Sequence, residues 1–165
     1  MQNLEPAVHP GTMIGHVHLK VANLDRAITF YCDAMGFELQ QRMGRHAAFL
    51  SAGGYHHHIG LNTWESQGGS PPPPGTTGLY HFAILYPERR ELARALKRLI
   101  DHGVPIDGYA DHGVSEAVYL RDPDGNGVEI YRDRDRKDWS WEPDGSLRMV
   151  SDPIDLEDLL NELHR

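Results

Sequence analysis

Two histidines and one glutamate stand where successive strands could bring them together. Asp122-Pro-Asp-Gly-Asn-Gly-Val-Glu-Ile-Tyr131 places Glu129 on a strand directly after a tight turn. The glycines supply positive φ, and Val128 to Tyr131 alternates apolar and polar as a half-buried strand does. Two earlier strands offer a histidine at comparable places: His16 in Gly15-His-Val-His-Leu-Lys-Val21 and His81 in Tyr80-His-Phe-Ala-Ile-Leu85. Two imidazoles and one carboxylate are the ligand set of a mononuclear non-haem iron site with open positions. His16 shares its strand face with His18, so the residues alone leave open which of the two would ligate.

The elements that must position these groups occur twice. Ile14 to Val21 reads as a strand, with Val17, Leu19 and Val21 on one face and His16, His18 and Lys20 on the other. Asn23 or Asp25 caps a helix that runs to about Met35 and ends at Gly36. Short strands follow over 37–41, 47–51 and 56–61. Residues 64–77, with Gly68-Gly-Ser and Pro71 to Pro74, read as a linker. The order then repeats: a strand over 79–85, a helix started by Pro87 and ended at Gly103, and strands near 104–109, 117–121 and 127–131. His16 superposes on His81, Gly36 on Gly103, and Ile59-Gly60-Leu61 on Val128-Glu129-Ile130. The expected architecture is therefore α+β, two βαβββ modules forming a curved mixed sheet around a central metal cleft. The expected division is a single domain over 1–165: module one at about 14–63, linker 64–77, module two at about 78–133, and a tail over 134–165. Residues 1–12 read as an arm. The amphipathic stretch Ile154 to Leu163 is expected to pack on the surface or on a second subunit.

Composition narrows the function classes. The chain has 165 residues, 39% hydrophobic and 24% charged, with a net charge of -8. That balance fits a soluble globular protein and argues against nucleic acid or an acidic membrane surface as partner. There is no long apolar run and no signal-peptide pattern at the N-terminus. The lone Cys32 excludes an internal disulfide and suits a reducing cytoplasm. Cys32 reads as a packed thiol. Histidine is abundant at 11 residues, which directs attention to metal. His9, His46, His102 and His164 read as surface residues.

Taken together, Gly15-His16-Val17, the run Asn23-Leu-Asp-Arg-Ala-Ile-Thr-Phe-Tyr31 with Met35-Gly36-Phe37, Tyr80-His81-Phe82, and Asp122 through Glu129 resemble the vicinal-oxygen-chelate superfamily. That superfamily includes glyoxalases, bleomycin- and fosfomycin-resistance proteins and extradiol catechol dioxygenases. The resemblance covers residues 14–132 and is nearest to the short, one-domain catechol 2,3-dioxygenase-like proteins. It implies that His16, His81 and Glu129 hold iron(II), with manganese(II) as the alternative. Glyoxalase-like members draw a fourth ligand from the place occupied here by Gly60. The resemblance also implies an acid/base role for His57, an active-site Tyr119 and a pocket His112, while His18, by the face it shares with His16, and Trp64 read as residues of the substrate wall. Simple strand parity disagrees about His57, since Gly60, His58 and His56 would share the interior face and turn His57 outward.

The implied reaction opens a catechol-type diol beside its hydroxyls with dioxygen, giving a muconic semialdehyde. His57 would move the proton, and Tyr119 and His112 would donate hydrogen bonds to a substrate oxygen. The rival readings are a non-catalytic small-molecule binding or resistance protein and a metal-dependent isomerase or thiol transferase of the same fold. A homo-oligomer, dimer or larger, is expected.

Overall fold

The computed structural model describes residues 8–165; the first seven residues of the expected N-terminal arm lie outside that range. Strand β1 (Val17–Lys20) leads to helix α1 (Leu24–Thr29), then β2 (Glu38–Met43), β3 (Ala47–Ser51) and β4 (Ile59–Asn62). The second unit has β5 (Phe82–Leu85), α2 (Arg89–Asp101), β6 (Ile106–Asp111), β7 (Ser115–Arg121) and β8 (Gly127–Asp133), and α3 (Leu156–Asn161) closes the chain. The strand order is β1-β4-β3-β2 in one sheet and β5-β8-β7-β6 in the other. In each, the first strand lies parallel to the last and the remaining pairings are antiparallel. The βαβββ repeat is thus present in both halves, down to a register slip in the second strand of each, at Leu39/Gln41 and at Ile106/Gly108. Such slips bend a strand and strengthen its twist, which curves both sheets alike.

Local sequence explains the elements. Asn23 caps α1 by accepting a hydrogen bond from the Arg26 backbone N–H at 3.0 Å. The helix then widens into a π turn over Phe30–Ala34 and stops at Gly36, whose φ is +87°. Leu24, Ala27 and Tyr31 are buried against Leu19, Val21, Ile59 and Leu61. On α2, Leu92, Leu96 and Leu99 are buried, in the same continuous core as Val118, Leu120, Val128 and Ile130. Leu159 of α3 joins them, so the tail packs on its own chain against α2.

Three strand starts beside the candidate histidines differ from expectation. The strands expected at Ile14 and Leu79 begin only at Val17 and Phe82, which leaves His16 and His81 immediately before them. The strand expected from His56 begins at Ile59, because residues 52–58 form turns and bends around Gly53-Gly54. Parity cannot be counted through such a segment.

Asp122 joins the two units. Its carboxylate accepts hydrogen bonds from the Tyr31 hydroxyl (2.9 Å), the Asp124 and Asn126 backbone N–H groups (2.9 Å each) and the Asn126 amide (2.8 Å). Tyr31 is fully buried and Asp122 nearly so. Asp124 extends the join, accepting from the Ala22 N–H and from Arg26. Gly125, at φ +81°, makes the turn, and the bare Cα of Gly127 lets the chain enter β8, since a Cβ there would stand 2.2 Å from the Tyr80 carbonyl oxygen. Replacing Asp122 with Ala leaves the buried Tyr31 hydroxyl and two turn N–H groups without an acceptor. Urea unfolding is expected to register a loss of about 3 kcal/mol, against about 1 kcal/mol for Tyr31→Phe, which removes one donor only.

Candidate metal and substrate site

The parallel pairing of β5 with β8 sets Ala83 opposite Glu129. His81 lies two residues earlier and reaches the carboxylate, with Nε2 2.9 Å from Oε2. The spacing bears on whether a metal fits. Two donors at adjacent corners of an octahedron with bonds of about 2.1 Å stand about 3.0 Å apart, so this imidazole and carboxylate match two neighbouring positions around a divalent first-row ion. His16 occupies the matching place before β1, where the Val17 N–H donates to the His58 carbonyl at 3.0 Å. Its ring is exposed and lies 4.4 Å from that of His57. Among the described residues no three His, Cys, Asp or Glu side chains converge as a metal-binding group. The structure therefore brings His81 and Glu129 together and leaves His16 with His57.

Burial pushes the Glu129 carboxyl above its ordinary range, against the opposing pull of His81 and His112. Tyr119 faces Glu129 across the β7–β8 register. Its ring centroid is 5.7 Å from that of His81. Burial and the neighbouring Glu129 and Tyr80 raise its hydroxyl's pKa. His112, on the turn between β6 and β7, meets the Tyr119 hydroxyl through Nε2 at 2.7 Å. His81 and Tyr119 border a cleft of about 320 Å³ lined also by Tyr80, Gly108 and Arg121 among others, within the size range of a small-ligand site.

His57 packs beside His16 and 5.1 Å from Phe49, and its Nδ1 lies 2.7 Å from that of His56. Outward parity does not apply to it, because it sits in the turn segment before β4. His58 instead turns to Ser51, with Nδ1 3.2 Å from the hydroxyl. Burial, then the neighbouring His16 and His56, press His57 below the usual imidazole range. A neutral ring near pH 7 is able to accept a proton. His18 is lowered too, by burial and by His16. It lies 5.7 Å from Trp64, which is largely exposed.

The two modules differ at one point of chemistry. His18 pairs with Gly60 as Ala83 pairs with Glu129. A Cβ built on Gly60 would come within 2.9 Å of the His18 ring. The first module thus has an imidazole lying over bare backbone where the second has a carboxylate.

Residues 13–130 match the family model described as the glyoxalase/bleomycin resistance protein/dioxygenase superfamily. The chain belongs to that superfamily. It is 43% identical over 157 residues to the catechol-2,3-dioxygenase of Bacillus subtilis, covering 94% of this chain and 54% of that protein. Biphenyl-2,3-diol 1,2-dioxygenase 3 of Rhodococcus globerulus is 31% identical over 122 residues, covering 73% of this chain and 63% of its own length. The chain therefore spans little more than half of these superfamily relatives. Among solved structures, lactoylglutathione lyase from Agrobacterium tumefaciens superposes with a TM-score of 0.59 at 25% identity, over 75% of this chain and 96% of that one.

Some contributors carried no readable mark. Asp122 reads as an ordinary turn residue until its Tyr31 partner is known, and Val150 acts on His112 through its carbonyl, which no side-chain code announces.

The raised carboxyl of Glu129 has a stability consequence in metal-free protein. Folded chains hold that proton to higher pH than unfolded ones, so stability falls as pH rises from about 4.3, the unfolded value, to the raised folded value, and stays reduced above it. Glu129→Gln removes this loss at nearly unchanged side-chain size. Metal-free Glu129→Gln is expected to melt above wild type at pH 7 and level with it near pH 4, in paired thermal scans.

Proposed function

We propose that the protein is an extradiol dioxygenase that opens a catechol-type ring at a metal held by His16, His81 and Glu129. The observation that carries this reading is the 2.9 Å His81–Glu129 pair beside Tyr119 at an open cleft. Identity with a catechol-2,3-dioxygenase over nearly the whole chain supports it. Glycine at position 60 also favours it over an isomerase or thiol transferase, because three protein donors leave room for a chelating diol and dioxygen.

Iron(II), with manganese(II) as the alternative, supplies Lewis acidity and a route for electrons between ring and dioxygen when bound. The chain's own residues do the rest. Tyr80 and Tyr119 flank the cleft as flat walls suited to a planar ring. Burial of Glu129 keeps its charge from solvent, which strengthens its hold on a cation. His57, pressed toward its neutral form by burial and then by its neighbours, takes up the substrate's proton and returns it, and its contact with His16 keeps it beside a ligand position. His18 and Trp64 form the wall on the first module's side.

The setting is a cytoplasmic homo-oligomer in which residues 1–165 act as one domain. Among the described residues no helix is long and apolar enough to cross a membrane. Met13, Ile14, Leu79 and Tyr80, which precede His16 and His81, are highly exposed and offer apolar surface for self-association.

Anaerobic loading with iron(II) followed by plain catechol and dioxygen is expected to give oxygen uptake and a yellow product, with one metal per chain. His81→Ala and Glu129→Ala should each lower metal affinity by more than about 100-fold, since even supporting residues cost 10- to 100-fold. His57→Ala should retain the metal and lose about 10²- to 10⁴-fold in turnover. Metal bound without uptake would favour the isomerase or transferase reading, and no metal bound would favour a non-catalytic binding protein.

A further inference from the structure

The C-terminal segment returns to the site, and the reading above makes no use of it. The Asp111 N–H donates to the Asp152 carbonyl at 2.8 Å and the Asp152 N–H to the Asp111 carbonyl at 2.9 Å, closing an antiparallel bridge. The Val150 N–H donates to the His112 carbonyl at 3.1 Å. Main chain on the tail thus grips main chain at His112. The tail is itself fastened, with Ile154 and Leu159 buried and Arg89 paired to Asp158 (2.9 Å) and Glu162 (2.8 Å).

The Val150 carbonyl oxygen lies 2.8 Å from Nδ1 of His112. A carbonyl has no proton to give, so Nδ1 carries the hydrogen and donates. In a neutral imidazole the other nitrogen is then bare. That nitrogen, Nε2, is 2.7 Å from the Tyr119 hydroxyl, so the hydroxyl donates and the imidazole accepts. A phenol has one proton. Committed to His112, it is not available to a ligand oxygen.

We propose that the C-terminal segment is a positioning element of the site: the Val150 carbonyl holds His112 in the Nδ1–H tautomer, which commits the Tyr119 proton to His112 and leaves the Tyr119 oxygen as a hydrogen-bond acceptor at the cleft. This reverses the donor role that sequence alone suggests for Tyr119 toward a substrate. The specificity that follows is for a ligand presenting a hydroxyl to Tyr119, so this part rests on the cleft taking a hydroxylated ring. The tautomer itself does not. Val150 and Asp152 are positioning residues that act through backbone groups, and His112 acts through Tyr119.

The test is long-range proton–nitrogen correlation NMR of the full chain, metal-free and labelled at histidine with ¹⁵N, at a pH where His112 is neutral. His112→Gln assigns the signals. The expected result is a protonated Nδ1 and a bare Nε2 at His112, with a slowly exchanging Tyr119 hydroxyl proton that cross-relaxes with the His112 ring. Tyr119→Phe should leave that tautomer in place. Asp152→Pro removes the N–H that closes the bridge and should abolish the Nδ1–H preference while the remaining amide spectrum stays dispersed. His112 found as the Nε2–H tautomer in wild type would overturn the proposal, whether or not the proline variant folds. A folded Asp152→Pro with His112 unchanged would also overturn it. None of these readouts uses metal or turnover, so failure of ring cleavage and failure of this proposal remain distinguishable.

Discussion

The carboxylate of Asp122 is the constraint from which the candidate site hangs. It closes the turn leading into β8, the strand that carries Glu129, and it reaches across to Tyr31 in the other module. A buried anion costs several kcal/mol unless its lone pairs are filled, and here four donors fill them. The arrangement is over-determined in a useful sense. The turn cannot shift without orphaning a fully buried hydroxyl, so Glu129 is held in register with His81 from a distance. Gly127 makes the same demand from the other side, because any side chain there would collide with the Tyr80 carbonyl next to His81.

The repeated fold was legible because it is written in periodicities that need no tertiary context. Val17, Leu19 and Val21 alternate, Leu92, Leu96 and Leu99 recur at helical spacing, and Gly36 and Gly103 stop the helices. The nearness of His81 to Glu129 was legible through the resemblance, because Tyr80-His81-Phe82 and the run from Asp122 to Glu129 are among the motifs that carry it. Assignment of His57 was not, because counting faces presumes a strand and Gly53-Gly54 had already broken it. The tail was missed for a different reason. Its effect on His112 runs through the carbonyl of Val150, and every residue type has a carbonyl.

Duplication followed by divergence of the halves is visible at atomic scale. In the second module, Ala83 leaves space and Glu129 fills it; in the first, Gly60 leaves space and the His18 ring fills it. The backbone frame is shared, and chemistry has been reassigned by exchanging which strand of the parallel pair carries the large group. In the first module His16, His57, Phe49, His18 and Trp64 form a chain of tilted and edge-on ring contacts, whereas the second module holds a carboxylate, an imidazole and a phenol. One half is suited to proton movement and to lining a pocket, the other to holding charge.

The second module must also hold its own charges in place, and it does so away from the cleft. Glu116 on β7 is buried yet accepts from Arg89 at 3.0 Å and from Arg132 at 2.6 Å, with Arg134 also within reach at 3.4 Å. Arg134 in turn pairs with Asp111, the residue whose backbone bridges to the tail. Arg89 continues the chain of contacts to Asp158 and Glu162 on the closing helix. A single connected set of ion pairs thus runs from α2 through the sheet to α3. Networked pairs of this kind, part-buried and sharing partners, lose less to solvent screening than isolated surface pairs do. Their geometric effect is specific: they fix the height at which residues 150–152 cross the end of β6, and so the distance from Val150 to the His112 ring.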